Sequence, residues 1–260
     1  MKTIILAGGF GTRLSEFTEA IPKPMVPVGR YPIILHIMQI YSVQGFNEFI
    51  VALGYKGERI KSYFRNFHTD HDDFTVDLGS GNVRTAKATS NIHWAVDFQV
   101  TLVDTGYDTM TGGRIKKLRN YIQDETFLLT YGDGVCDVDI KASLEFHKSH
   151  GKLATMTAVH PPVRFGNVDI QKDRVVEFHE KSLKHGGWIN GGYFVLEPEV
   201  LDYIDGDHIS FEKEPMERLA REGQLMAFKH DDFWQCMDMK GDVEYLNRLW
   251  AAGEAPWKIW

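Results

Sequence analysis

What this 260-residue sequence lacks narrows its class first. It has two cysteines, Cys136 and Cys236, too few for a disulfide scaffold, so they read as reduced, packed thiols. It has no excess of positive charge. The formal net charge of -7 argues against nucleic acid or an anionic membrane as partner, and a phosphate ligand has to be met by local cations. No apolar run is long enough to span a bilayer. Only Thr3 to Ala7 separates Lys2 from the first glycines, too short for the core of a signal peptide. A cytoplasmic protein is expected. Internal repeats, low-complexity runs and linkers are missing too, so residues 1–260 are expected to form one domain. Two well-known phosphate loops are also absent. The dinucleotide fingerprint fails because Leu14 stands where its third glycine belongs, and the P-loop fails because no G-K-[ST] follows Gly8.

What is present is concentrated at the start. Thr3 to Ala7 is a continuous apolar run, the pattern of a strand covered on both faces. Gly8, Gly9 and Gly11 follow at once. They allow a sharp turn, close approach of a ligand, and backbone N–H groups aimed at phosphate oxygens. Arg13 adds a forked guanidinium. Lys23 adds a point-like ammonium on a segment stiffened by Pro22 and Pro24. Together these are equipment for binding a polyphosphate.

Further along, Ile33, Ile37, Ile40 and Tyr41 predict a helix, Glu48 to Leu53 a buried strand, and Ile60, Phe64 and Phe67 a second helix. Strand, helix, strand, helix implies a parallel sheet with right-handed crossovers. From 68 to 98 the rhythm stops, as expected of an excursion from the sheet: a lid or a subunit contact. Its head, HTDHDD, reads as a solvated loop or, less readily, a metal cluster. Phe74 to Leu78 fits one strand of a hairpin turning at Gly79 to Asn82. The sheet resumes at Gln99 to Asp104 and at Thr126 to Tyr131, with a helix marked by Ile115, Leu118 and Ile122 between them. Asp133, between Gly132 and Gly134 at a strand end, suits a turn or an exposed cation ligand. Ile140, Leu144 and His147 mark a helix, and Leu153 to Val159 a strand. Short strands follow at Asn167 to Ile170, Val175 to His179, Ile189 to Leu196 and Leu225 to His230. Helices are expected from Pro198 to Ile204, at Pro215 with Met216, Leu219 and Ala220 inward, and at Val243, Leu246 and Leu249. Trp250, Trp257 and Trp260 form an aromatic tail that packs on the body or on a partner.

The stretches Leu6-Ala7-Gly8-Gly9-Phe10-Gly11-Thr12-Arg13-Leu14 and Pro22-Lys23-Pro24-Met25 resemble the signature of the sugar-phosphate nucleotidylyltransferases. The resemblance covers nearly the whole chain. It implies a Rossmann-like α/β fold: a mostly parallel central sheet with helices on both faces and a smaller β-rich part. The nucleotide-binding part would be mainly 1–150 and the sugar-binding part mainly 151–235. Nucleotide contacts would come from Leu6, Ala7, Gly8, Gly9, Phe10, Gly11, Thr12, Thr109, Arg114 and Gly132, with Arg13 and Lys23 catalytic. Glu180, Lys181, Asn190 and Gly191 would hold the sugar phosphate, and Asp133 and Asp238 would bind Mg²⁺. Thr105-Gly106, Met110 to Arg114, Tyr131 to Val135, Asp137 to Ile140, Ile189 to Gly192 and Ala255 to Lys258 narrow the likeness to members that transfer a cytidylyl group. That implies CTP and α-D-glucose 1-phosphate as substrates, CDP-glucose and pyrophosphate as products, and a homo-oligomer. The pattern is broken at Ser182, Cys236 and Met239, where proline, proline and threonine are expected. Two rivals remain: a dinucleotide-dependent oxidoreductase, which lacks its fingerprint, and a silent sugar-nucleotide sensor, which would have lost Arg13 or a metal aspartate.

Overall fold

The apolar runs become a sheet buried on both sides. The computed structural model describes residues 1–85, 97–162, 167–179 and 187–260. Seven strands, β1 (Lys2–Ala7), β2 (Glu48–Leu53), β3 (Gln99–Asp104), β4 (Phe127–Tyr131), β5 (Ala154–Val159), β6 (Ile189–Leu196) and β7 (Leu225–His230), lie in the order β7-β5-β6-β4-β1-β2-β3. Pairs β1–β2, β1–β4, β2–β3 and β5–β7 are parallel. Strand β6 runs antiparallel to both neighbours. It therefore begins at the edge where β1 and β4 end. Asn190, near its start, arrives beside Tyr131 without any crossover of its own.

Side chains alternate across the sheet. Ile5, Val51, Leu128 and Val195 face one layer, and Ile4, Ile50, Leu129 and Phe194 the other. On the first face lie the helices α1 (Ile33–Ser42), α3 (Ile140–His150) and α5 (Lys240–Ala252); on the second lie α2 (Thr111–Lys117) and α4 (Glu214–Arg221). Helix α1 is buried from Ile33 to Tyr41, which explains its apolar character all round. Asp139 caps α3, its Oδ1 accepting from Ala142 N at 2.8 Å. Among the described residues, no helix is long and apolar enough to cross a membrane.

The aromatic tail packs on the body. Trp257 is fully buried, and its indole N–H donates to His36 Nδ1 at 3.3 Å. Emptying that position as Trp257→Ala would cost about 3–5 kcal/mol. Four readings need correction. The helix expected through Phe67 ends at Arg65, and Phe67 opens a separate short helix to His71 because Asn66 leaves the helical conformation. The helix expected from Ile115 to Ile122 breaks at Leu118. Ala220 is exposed, because Pro215, Met216 and Leu219 already complete the inward stripe of α4. In the excursion, Phe74–Val76 pairs with Val83–Thr85, and Asp77 Oδ1 accepts from Gly79 N and Ser80 N in the turn. The first part of HTDHDD is helical rather than loop, and His68 pairs with Asp72 at 3.2 Å. Among the described residues, no three ligand atoms of that run converge.

Candidate active site

The carboxyl ends of β1 and β4 border a cleft of about 380 Å³. Leu6, Ala7, the loop from Gly8 to Arg13, Lys23, Thr109, Arg114, Tyr131, Gly132 and Asp133 line it. Arg114 braces the loop from beneath. The residue is only 4% exposed, and its guanidinium donates to the carbonyls of Leu53 (2.9 Å), Gly106 (2.7 Å), Gly8 (2.9 Å) and Tyr107 (3.3 Å), and to Thr105 Oγ1 (2.8 Å). A Cβ on Gly8 or Gly54 would stand 2.3–2.4 Å from it. The missing side chain at Gly8 thus admits Arg114, whereas Gly9 opens onto free space. At the loop's tip, exposed Phe10 rests against Tyr55 and Tyr107, with centroids 5.2 and 5.3 Å away.

Pro22 is extended, and Lys23–Met25 makes one 3₁₀ turn, so the Pro-Lys-Pro segment points the ammonium inward. Lys23 Nζ lies 2.5 Å from Asp133 Oδ2 and 2.6 Å from Asp238 Oδ1, and Arg13 meets Asp238 Oδ2 at 2.9 Å. The two aspartates meet because Gly134–Cys136 and Trp234–Cys236 pair as a two-stranded antiparallel ribbon, with Met237 N donating to Asp133 O at 2.8 Å. Asp242 accepts from Asp238 N and Met239 N and closes the start of α5. Burial pulls the Lys23 pKa down, but the two carboxylates outweigh it and hold the ammonium above the usual lysine value. Burial pushes Asp238 up, but Lys23 and Arg13 win and hold it below the usual carboxylate value. Burial and the surrounding carboxylates push the Cys236 thiol up to about 12, so it stays protonated beside them.

The donor set suits a hard divalent cation. Two carboxylate oxygens from separate segments already converge on one positive charge, the Lys23 ammonium, which stands where such an ion would sit. On the other flank, Asn190 Nδ2 donates to Tyr131 Oη at 3.2 Å. Gly191 is buried, and its carbonyl accepts from Trp234 Nε1 at 2.7 Å. The structure thus gathers Leu6 to Arg13, Lys23, Thr109, Arg114, Gly132, Asp133, Asn190 and Asp238 at one sheet edge. Glu180 and Lys181 lie outside the described residues. Sequence reasoning missed Glu212 and the part Tyr131 plays with it, because an acid in Phe-Glu-Lys-Glu-Pro reads only as an approach to a helix.

A family model described as nucleotidyl transferase matches residues 2–250. The glucose-1-phosphate cytidylyltransferase of Salmonella typhi is 52% identical over 262 residues, covering 100% of both chains. The mannose-1-phosphate guanylyltransferase 1 of Arabidopsis thaliana is 31% identical, over 96% of this chain and 64% of its own. Among solved structures, HddC from Yersinia pseudotuberculosis complexed with GMP-PN aligns with a TM-score of 0.67 and 25% identity, covering 96% of this chain and 99% of that one.

Proposed function

The chain belongs to the nucleotidyl transferase family, and from that premise we propose that it transfers a cytidylyl group from CTP to α-D-glucose 1-phosphate, giving CDP-glucose and pyrophosphate. The observation that carries this reading is the convergence, at one sheet edge, of an open glycine loop, Arg13, Lys23 and two carboxylates. The full-length likeness to the Salmonella typhi enzyme supports the choice of base and sugar.

The chemistry needs no protein nucleophile. A phosphate oxygen of the sugar phosphate attacks the α-phosphorus in line, the bond to the β-phosphate oxygen breaks, and pyrophosphate leaves with that electron pair. The attacking oxygen is already ionised, so no general base is required. Catalysis is positioning plus charge neutralisation. In this reading the amides of Gly8 to Thr12 and Arg13 hold the β- and γ-phosphates. Asp133 and Asp238 would hold Mg²⁺, which would supply neutralising charge at the α-phosphate. Lys23, between those carboxylates, would serve the same phosphate. Thr109 and Gly132 shape the nucleotide side, with Arg114 beneath. Asn190, Gly191, Glu180 and Lys181 serve the sugar phosphate.

Residues 1–260 would work as one domain, with the nucleotide side mainly 1–150 and the sugar side mainly 151–235. A cytoplasmic homo-oligomer belongs to the same reading. Phe74, Val76, Leu78 and Val83 are exposed on the excursion hairpin, the kind of surface a second copy covers. Sedimentation would test this, and a monomer would refute it. The reaction itself is tested by pyrophosphate release with each nucleoside triphosphate against a panel of sugar phosphates. CTP with glucose 1-phosphate is expected to be fastest. Equal rates with dTTP would sink the cytidylyl assignment, and preference for another acceptor would sink the sugar half.

A further inference from the structure

Tyr131 ends β4 and lines the cleft beside Gly132 and Asp133. Its hydroxyl donates to Glu212 Oε1 at 2.7 Å, while Glu212 Oε2 accepts from Thr111 Oγ1 at 2.6 Å. Thr111 Oγ1 in turn accepts from Phe211 N at 2.9 Å, which ties the Glu212 segment to the start of α2. From the other side, Asn190 Nδ2 donates to the Tyr131 oxygen at 3.2 Å, and Asn190 Oδ1 accepts from Gly192 N at 2.8 Å. One chain, Thr111–Glu212–Tyr131–Asn190, therefore crosses from the nucleotide-side helix to the sugar-side strand.

The chemistry of these groups fixes their polarity. An ionised carboxylate can only accept, so the single Tyr131 proton is committed to Glu212. The phenol oxygen then faces Asn190 as an acceptor. Asn190 must present its NH₂ to it, and Gly192 N–H holds the amide the same way round. One Nδ2 proton of Asn190 is left to offer to a bound hydroxyl. Without the carboxylate, Tyr131 could donate or accept, and the amide would lose half of its orientation. Burial, reinforced by Glu212, keeps the phenol well above its usual pKa, so Tyr131 retains the proton it donates. The ring is fixed as well: Gly192, at φ +77°, leaves room for it where a Cβ would stand 2.5 Å from Tyr131 Cδ2.

We propose that Glu212 is a positioning residue that sets the hydrogen-bond polarity of Tyr131 and Asn190 and thereby selects among sugar-hydroxyl configurations in the acceptor. This rests on the reading of the acceptor as a sugar 1-phosphate. The test compares wild type with Glu212→Gln, Glu212→Ala and Tyr131→Phe. It measures KM and kcat for glucose, galactose and mannose 1-phosphates at saturating CTP, and KM for CTP at saturating acceptor. Glu212→Ala is expected to raise KM for the preferred acceptor about tenfold and to erase about tenfold of its preference over the epimers, with KM for CTP within about twofold. Glu212→Gln keeps the shape but can donate to the Tyr131 oxygen. It should show the same loss of discrimination at an unchanged melting temperature, and Tyr131→Phe should match it.

A parallel rise in both KM values, or a fall in kcat with discrimination intact, would overturn the proposal. Wild type preferring another sugar phosphate would overturn the glucose assignment, and the same comparison is then made with that acceptor. Wild type releasing no pyrophosphate with any pair would overturn the enzymatic reading. Calorimetric titration of the three sugar phosphates then decides on Glu212, and affinities unchanged by Glu212→Gln would refute its role.

Discussion

Two cations in one cleft are used in opposite ways. Arg114 gives its guanidinium to four backbone carbonyls and a threonine hydroxyl. Lys23 gives its ammonium to two carboxylates. Neutral carbonyls arranged around a planar fork fit that fork and little else, so Arg114 is a brace for the loop. Carboxylates set around a point charge accept whichever cation offers more, so the Lys23 corner is exchangeable. The cleft thus has a rigid end and a changeable end, and the position expected for the reacting phosphate lies at the changeable one.

The largest effects should come from the carboxylates. Asp133→Asn and Asp238→Asn are each expected to cut kcat by roughly two to four decades and to raise the Mg²⁺ needed for half-activity. The double variant should be little worse than the worse single, since both serve one ion. Additive losses would break the picture of a shared cation, and full activity in chelator would remove the ion from it. Next, Lys23→Ala and Arg13→Ala should each lower kcat/KM by roughly two decades. If the Lys23 corner is exchangeable, Lys23→Ala should also tighten Mn²⁺ binding to the nucleotide-free protein. Weaker Mn²⁺ binding, followed by electron spin resonance, would contradict that.

At the rigid end the expected loss is stability. Arg114→Lys cannot satisfy the same carbonyls and should cost about 4 kcal/mol in urea unfolding. A cost below about 0.5 kcal/mol would show that the brace is dispensable. The smallest effect lies outside the cleft. His36 Nε2 meets Val28 O at 3.0 Å while Nδ1 accepts from Trp257, and burial holds the imidazole down at about 4. The unfolded chain takes up this proton near pH 6.5 and the folded one only near 4. Stability should therefore fall as pH drops through that window, by about 1 kcal/mol between pH 7 and 5.5. His36→Phe should flatten that slope and leave substrate KM values alone.

Much of this was legible in the sequence. Strands β2, β3 and β6 could be bounded to the residue: β2 is a buried apolar run closed by Gly54, the edge strand β3 alternates polar and apolar residues up to Asp104, and the apolar end of β6 stops before Glu197-Pro198. The loop and Lys23 were legible because their chemistry is local. The meeting of Asp133 with Asp238 was expected only through resemblance. It depends on strands of three residues each, too short for any periodicity to register. Arg114 read as part of the nucleotide site, but its partners are carbonyls, which leave no trace in side-chain identity. Gly8 read as room for a ligand, and it is room for that arginine.

The ribbon that joins Gly134–Cys136 to Trp234–Cys236 also sets a schedule for the growing chain. Synthesis delivers the glycine loop, Arg13, Lys23 and Asp133 early, and N-terminal regions begin to fold first. Until Trp234–Cys236 has been made and paired, Lys23 has only Asp133 to meet, and Asp242 has not yet fastened the segment carrying Asp238. On the function proposed above, a half-made molecule would carry the glycine loop but lack the second carboxylate, so turnover of nucleotide would begin only once the late strand of the ribbon has paired.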